Sequence, residues 1–185
     1  MSNRLKPLQP PYPEEAATVL EQMTFGMPQP LALFRTIAYN PRVLDRVRLG
    51  GLLDRGSLTL RQREIAILRT TALCRAEYEW GVHVQIFAKP AGLDAAQIAA
   101  TVKAAPVGPL WTKEESLILR LADALHASSR VDDVLYGELA ATFTSVQLVE
   151  LVALCGFYHM ISFTIGAFAI ANEPGAPTFP TWSSS

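Results

Sequence analysis

The stretch "RAEYEWGVH", residues 75–83, gathers Glu77, Tyr78, Glu79, Trp80 and His83 inside a chain that otherwise reads as apolar and helical. Glu79 and His83 stand four residues apart, so one helix would stack them on a single face. A third candidate, Glu64, lies in "RQREIAILR" on the helix before. A break around Cys74–Glu77 would fold these two helices together and bring Glu64 to the Glu79–His83 face. A histidine whose tautomer is fixed by a carboxylate moves protons near neutral pH. A second carboxylate beside it raises the histidine's pKa, or is itself raised by like-charge repulsion. Tyr78 is a further candidate for the mouth of such a site, although as a neighbour of Glu79 it points about 100° away round the helix.

Each residue also has a plainer role open to it. Glu64 can pair with Arg61 or Arg63 on a wet face, and Glu77 is expected to face solvent. Trp80 suits core or interface packing, Glu79 gains from the dipole of a helix start, and His83 can be a structural, hydrogen-bonded histidine. Two acids and one histidine can also hold a metal. Nothing else in the sequence completes a cage, so no metal is expected.

The elements that would position these groups are helical; β patterning is nearly absent. A short helix begins near Glu14 and ends at "GMPQP"; "LALFRTIAYN" forms a second, stopped by Pro41; "PRVLDRVRLGGLLDRG" opens a third with proline and closes it with glycine. Thr59 with Gln62, Asp94 with Gln97, Thr112 with Glu115 and Thr144 with Gln147 match capping boxes. They start helices at about 60, 94–105, 112–128 and a long last helix to about Asn172, while Asp132 caps another to about Phe143. The sum is about eight or nine helices in one all-α bundle over residues 14–172. A proline-rich arm, 1–13, precedes it, and a proline-rich, serine-ended tail, 173–185, is expected to be mobile. The pattern E-x-x-I-L-R occurs at Glu64–Arg69 and again at Glu115–Arg120, a weak echo that would suit two similar helices around one core.

Composition narrows the function classes. Half the residues are hydrophobic, 18% are charged and the formal net charge is −1. No basic run exists to bind nucleic acid or anionic lipid. Leu151–Ala171 runs 21 residues without a formal charge, long enough to span a bilayer. Its His159, Ser162, Thr164 and two glycines, and the lack of a basic flank, suit a core or subunit-interface helix instead. His159 is expected to be a satisfied core histidine, with the cavity wall as the other option. Cys74 and Cys155 are far apart and form no CxxC, which supports neither a disulfide framework nor a zinc knuckle and suits a reducing cytoplasm. The proline-rich start holds no apolar run of signal-peptide type, so no signal peptide is expected there.

Residues 51–93, "GLLDRGSLTLRQREIAILRTTALCRAEYEWGVHVQIFAKPAGL", resemble the carboxymuconolactone decarboxylase family, which also contains alkylhydroperoxidase D. The resemblance rests on L-T-x-R-x-R-E-x-x-I-L-R, then A-E-Y-E-W-x-x-H, then A-G-L at Ala91–Leu93. It implies an all-α homo-oligomer, commonly a trimer or hexamer, that acts on a small molecule without metal or organic cofactor. The peroxidase branch carries a glutamate, then a Cys-x-x-Cys pair, then a histidine. Laid on this chain, those positions hold Glu64, Ala76, Glu79 and His83, so both sulfurs are missing. The resemblance therefore implies the decarboxylase-like branch, a lyase that removes carbon dioxide from a carboxylated lactone, with peroxiredoxin-type activity or a non-catalytic ligand-binding oligomer as alternatives. His83 would donate the proton, Glu79 set its tautomer, and Glu64 hold a second proton or orient water. Tyr78 would border the substrate, and Arg69 or Arg75 receive its carboxylate.

Overall fold

The computed structural model describes residues 3–103 and 108–180. Among these residues there are nine α-helices and no strand: α1 (Glu14–Gln22), α2 (Ala32–Ile37), α3 (Pro41–Gly50), α4 (Leu60–Leu73), α5 (Glu77–His83), α6 (Ala95–Ala100), α7 (Lys113–Ser128), α8 (Asp133–Ala140) and α9 (Ser145–Phe168). A π-helical turn, Val84–Ala88, continues α5 directly after His83.

Local chemistry sets the helix starts. Reciprocal capping boxes open α4, α6, α7 and α9. Asn40 and Asp132 accept backbone N–H bonds at the starts of α3 and α8. Each such cap contributes about 1 kcal/mol. The left-handed residues Ser129 and Ala169 end α7 and α9. The last helix thus stops at Phe168, short of Asn172. The end of the predicted 94–105 helix falls partly outside the described residues; α6 itself stops at Ala100.

Helix α4 is the centre. Glu64, Ile65, Ala66, Ile67, Leu68, Arg69, Thr70 and Thr71 are all buried in succession, which only a helix enclosed on every side shows. It packs chiefly on α7 and α9. Arg61 bonds Glu115, Gln62 bonds Glu114, and Arg69 bonds Asp123, so α4 and α7, the two helices carrying the E-x-x-I-L-R echo, run parallel. One apolar core joins α4 to α7 and α8 through Leu117, Ile118, Leu121, Leu135 and Phe143. A second joins α1, α2 and α3 to the end of α9 through Leu20, Leu33, Phe34, Leu44 and Ile161. Helix α5 lies between them, sending Trp80 into the first and Tyr78 and Val82 into the second.

Helix α9 is the one helix among the described residues long and apolar enough to cross a membrane. Its Leu151, Leu154, Tyr158, Ile161 and Ile165 are buried in the bundle, as a core helix requires.

Two sequence expectations change here. Glu77 does not simply face solvent: its carboxylate accepts from Asn172 Nδ2 and from the Phe179 N–H, both at 2.8 Å. The proline-rich tail, expected to be mobile from its composition, is fastened to α5 over residues 172–179. Glu173 accepts from the Tyr78 hydroxyl at 2.6 Å and from the Ala32 N–H at 2.5 Å. The Phe179 ring meets Trp80 at 5.2 Å. Gly81 makes the closest approach, because a Cβ there would stand 2.2 Å from the Pro177 carbonyl oxygen. The arm is tied too, by Arg4 N–H to Phe168 O and Leu8 N–H to Arg35 O. Residues 181–185, with Trp182, lie outside the described residues.

Candidate active site

The α4–α5 reversal follows from two backbone hydrogen bonds and one left-handed residue. The Arg75 N–H bonds Ala72 O and the Ala76 N–H bonds Thr71 O, the paired 5→2 and 6→1 bonds of a Schellman turn. Arg75 supplies the left-handed residue, with φ of 56°. The chain therefore doubles back at once, and α5 lies along α4.

The reversal brings His83 Nδ1 to 2.7 Å from Glu64 Oε2. The other ring nitrogen, Nε2, lies 3.5 Å from Glu79 Oε1, one helical turn back. Glu64 is wholly buried, and its second oxygen accepts from Arg63 Nε at 3.0 Å. Arg63 is held in turn by the Leu53 carbonyl and lies over the Phe87 ring, 5.4 Å from its centroid. Tyr158 presents its ring edge-on to His83 at 5.1 Å. The shorter contact to the imidazole is thus Glu64's, where the sequence reading gave Glu79 the tautomer-setting place.

Glu79 faces the other way as well. Its Oε2 is buried without a hydrogen-bond partner among the described residues. It borders a hollow of about 210 Å³ walled by Met23, Phe25, Phe34, Val47, Leu53, Phe157, Tyr158 and Ile161. Gln22 and Arg48 add polar groups to that wall. A recess of about 20 Å³, bordered by Glu79, His83 and Phe87, leads from the same region toward the imidazole.

Burial alone would push the His83 pKa down, yet the charges and hydrogen bonds of Glu64 and Glu79 together outweigh it and lift the pKa to about 9. His83 is therefore an imidazolium at neutral pH, a charged acid between two carboxylates. The arrangement can hold a proton in a dry place and pass it toward Glu79 and the hollow.

The sequence profile of the carboxymuconolactone decarboxylase family matches residues 41–124. That span contains α3, α4, α5 and most of α7, and with them Glu64, Glu79 and His83. The whole fold is shared with an uncharacterized peroxidase-related protein from Silicibacter sp. TM1040, at 16% identity and a TM-score of 0.79, over 93% of this chain and 94% of that one. It is shared equally with an alkylhydroperoxidase AhpD core, an uncharacterized peroxidase-related protein from Ralstonia eutropha JMP134, at 15% identity and a TM-score of 0.75, over 92% and 93%. Over residues 41–124, a little under half of its length, the chain thus resembles the carboxymuconolactone decarboxylase family, and its fold is the one these structures share. The same fold recurs in the debrominase Bmp8 bound, as a cysteine-to-alanine variant, to 2,3,4-tribromopyrrole, at 16% identity and a TM-score of 0.75, over 94% of each chain. No curated protein matches the sequence.

The remaining sequence candidates stand apart from the hollow. Tyr78 lies on the opposite flank of α5, its hydroxyl donating to Glu173 and accepting from the Leu33 N–H. Arg69 is buried against Asp123 and the carbonyls of Thr101 and Lys103. Arg75 is exposed and borders a separate cleft with Glu77 and Tyr78. His159 borders another cavity with Cys155 and Phe163, not this one. Arg63 enters the sequence reading only as a wet-face partner for Glu64, and Arg48, Phe157 and Tyr158 are not among its site candidates. Arg63 had a signal, its place beside Glu64 in "RQRE"; the other three reach the hollow only through tertiary packing.

Proposed function

We propose that this protein is a cofactor-free enzyme of decarboxylase type, acting by proton transfer on a small, carboxylated, lactone-like molecule in the hollow beside Glu79. The observation that carries the reading is the buried His83 ring, clamped at Nδ1 by Glu64 and directed at Nε2 toward Glu79, whose second oxygen has no partner among the described residues. Catalytic pockets combine an apolar wall with a few convergent polar groups and perturbed acids. A volume below the roughly 300–1,000 Å³ of drug-sized sites suits a small substrate.

In the proposed reaction Arg48, at the wall and held by Asp45 at 3.1 Å through one of its amino groups, turns its remaining N–H groups to the substrate carboxylate. The carbon–carbon bond to that carboxylate breaks, carbon dioxide leaves, and the bonding pair moves onto the conjugated lactone as a dienolate. The His83 Nε2 proton travels through Glu79 to the ring carbon, leaving a neutral imidazole that Glu64 still orients. Solvent returns the proton after product departs. Glu64 and Arg63 thus position, while His83 and Glu79 move the proton. General acid catalysis of this kind contributes about 10²–10⁴-fold. A peroxidase reading, carried over from the peroxidase-related neighbours, needs a thiol at the hollow, and Cys74 and Cys155 are absent from its wall.

The test is carbon dioxide release from a panel of carboxylated lactones and 2-oxo or 3-oxo acids, with the full chain, its His83→Gln and its Glu79→Gln variants. Turnover that falls at least about 100-fold in both variants, with helicity unchanged, supports the reading. Release from none of the panel, or release indifferent to His83, sinks it.

A further inference from the structure

Away from the wall of the hollow, three helices bring together a thiol and two imidazoles. Cys74 stands at the C-terminus of α4, His126 in the last turn of α7 and His159 in the middle of α9. The His126 Nδ1 is 3.0 Å from His159 Nε2, and Cys74 Sγ is 3.8 Å from the same His126 nitrogen. All three donor atoms lie within 4.8 Å of one another. His159 Nδ1 donates to the Cys155 carbonyl at 2.7 Å. That bond fixes the tautomer in which Nε2 carries a lone pair, the backbone anchor that metal-binding histidines use.

We propose that Cys74, His126 and His159 form a binding site for a zinc-type divalent transition-metal ion. Thiolate and imidazole are the donors such ions select over magnesium or calcium. With Zn–N of about 2.0–2.1 Å, Zn–S of about 2.3 Å and tetrahedral angles, the two nitrogens would stand about 3.3 Å apart and each about 3.6 Å from sulfur. The His126–His159 N···N gap of 3.0 Å and the Cys74–His126 S···N gap of 3.8 Å differ from those values by a few tenths of an ångström, and the Cys74 sulfur and His159 Nε2 lie within 4.8 Å, a span that a side-chain rotation closes on binding. His126 is exposed and the other two are half-buried, so an ion enters from solvent and water completes the fourth position. The Arg69 charge nearby is already matched by Asp123 at 2.5 Å. On binding, the ion displaces the Cys74 thiol proton to solvent, and His126 takes the tautomer with its proton on Nε2. The site is separate from the Glu64–His83 hollow and does not depend on its reading.

The experiment is a Zn²⁺ titration of the tag-free, reduced full chain by calorimetry, repeated with Co²⁺ as a visible probe. One equivalent per chain is expected, with proton release and, for cobalt, a thiolate-to-metal charge-transfer band. Cys74→Ser, His126→Ala and His159→Gln should each remove that step, while His83→Gln retains it. At one hundred times Kd, linkage should raise Tm by roughly 5–10 °C. If a variant fails to fold, wild-type protein still decides: Zn²⁺ should protect Cys74 from alkylation. Binding that survives loss of these side chains, no one-equivalent step, or an unprotected Cys74 overturns the proposal.

Discussion

An imidazolium held between two carboxylates makes the stability of the fold depend on pH through one residue. The folded-state pKa of His83 is raised from 6.5 to about 9. Its stabilising contribution is therefore fully present below pH 6.5 and is lost as pH rises through about 9. At about 1.4 kcal/mol per unit, the whole effect is about 3 kcal/mol. The expected outcome is a Tm that falls by roughly 10 °C across that window, read by calorimetry in a pH series. His83→Gln should flatten this slope and lower stability near neutral pH by about 3 kcal/mol, since buried acids lose their counter-charge. An identical slope in the variant would assign the effect elsewhere. If His83 also donates the catalytic proton, kcat/KM should decline above pH about 9 in parallel.

The turn that joins α4 to α5 is strained for its purpose. Arg75 occupies the left-handed region with φ of 56°, which costs a residue with a Cβ about 1–2 kcal/mol. Arg75→Gly should therefore raise stability by about 1 kcal/mol, measurable in urea unfolding, with catalysis unchanged because the side chain lies away from the hollow. Gly81→Ala should act in the opposite direction. Its Cβ would meet Pro177 O at 2.2 Å, and overpacking of this kind costs about 1–3 kcal/mol. Faster proteolysis within residues 172–180 would show the tail released. These two positions also mark the limit of sequence reading. The capping boxes at Thr59, Asp94, Thr112 and Thr144 were legible because each closes within four residues, and the Glu79–His83 pair because a helix fixes its spacing. Glu64 was within reach because one sharp reversal separates it from His83. Glu77 holding Phe179 spans 102 positions, and Cys74 meeting His126 spans 52; no local pattern announces either. Arg69 and Arg75 were chosen by charge alone, and charge says nothing about which side of a helix a side chain will meet.

At the scale of the molecule, one face remains apolar. Tyr136, Val149 and Val152 line one shallow cavity on α8 and α9, Val152 and Phe163 border the next, and all four are exposed. The sequence resemblance implies a homo-oligomer, and this face is where a second copy is expected to sit. Light scattering should return a multiple of the 20.2 kDa chain, and Val149→Asp with Phe163→Asp should shift it toward one copy. A monomeric wild type would remove the expectation. The tail carries a different lesson. Tyr78 and Glu79 are consecutive, one gripping Glu173 and the other bordering the hollow, so both ends of that grip share one short rod of backbone. A purification handle or fluorescent fusion placed after the last serine pulls on that rod, and lost turnover in such a fusion would report the tether rather than the chemistry.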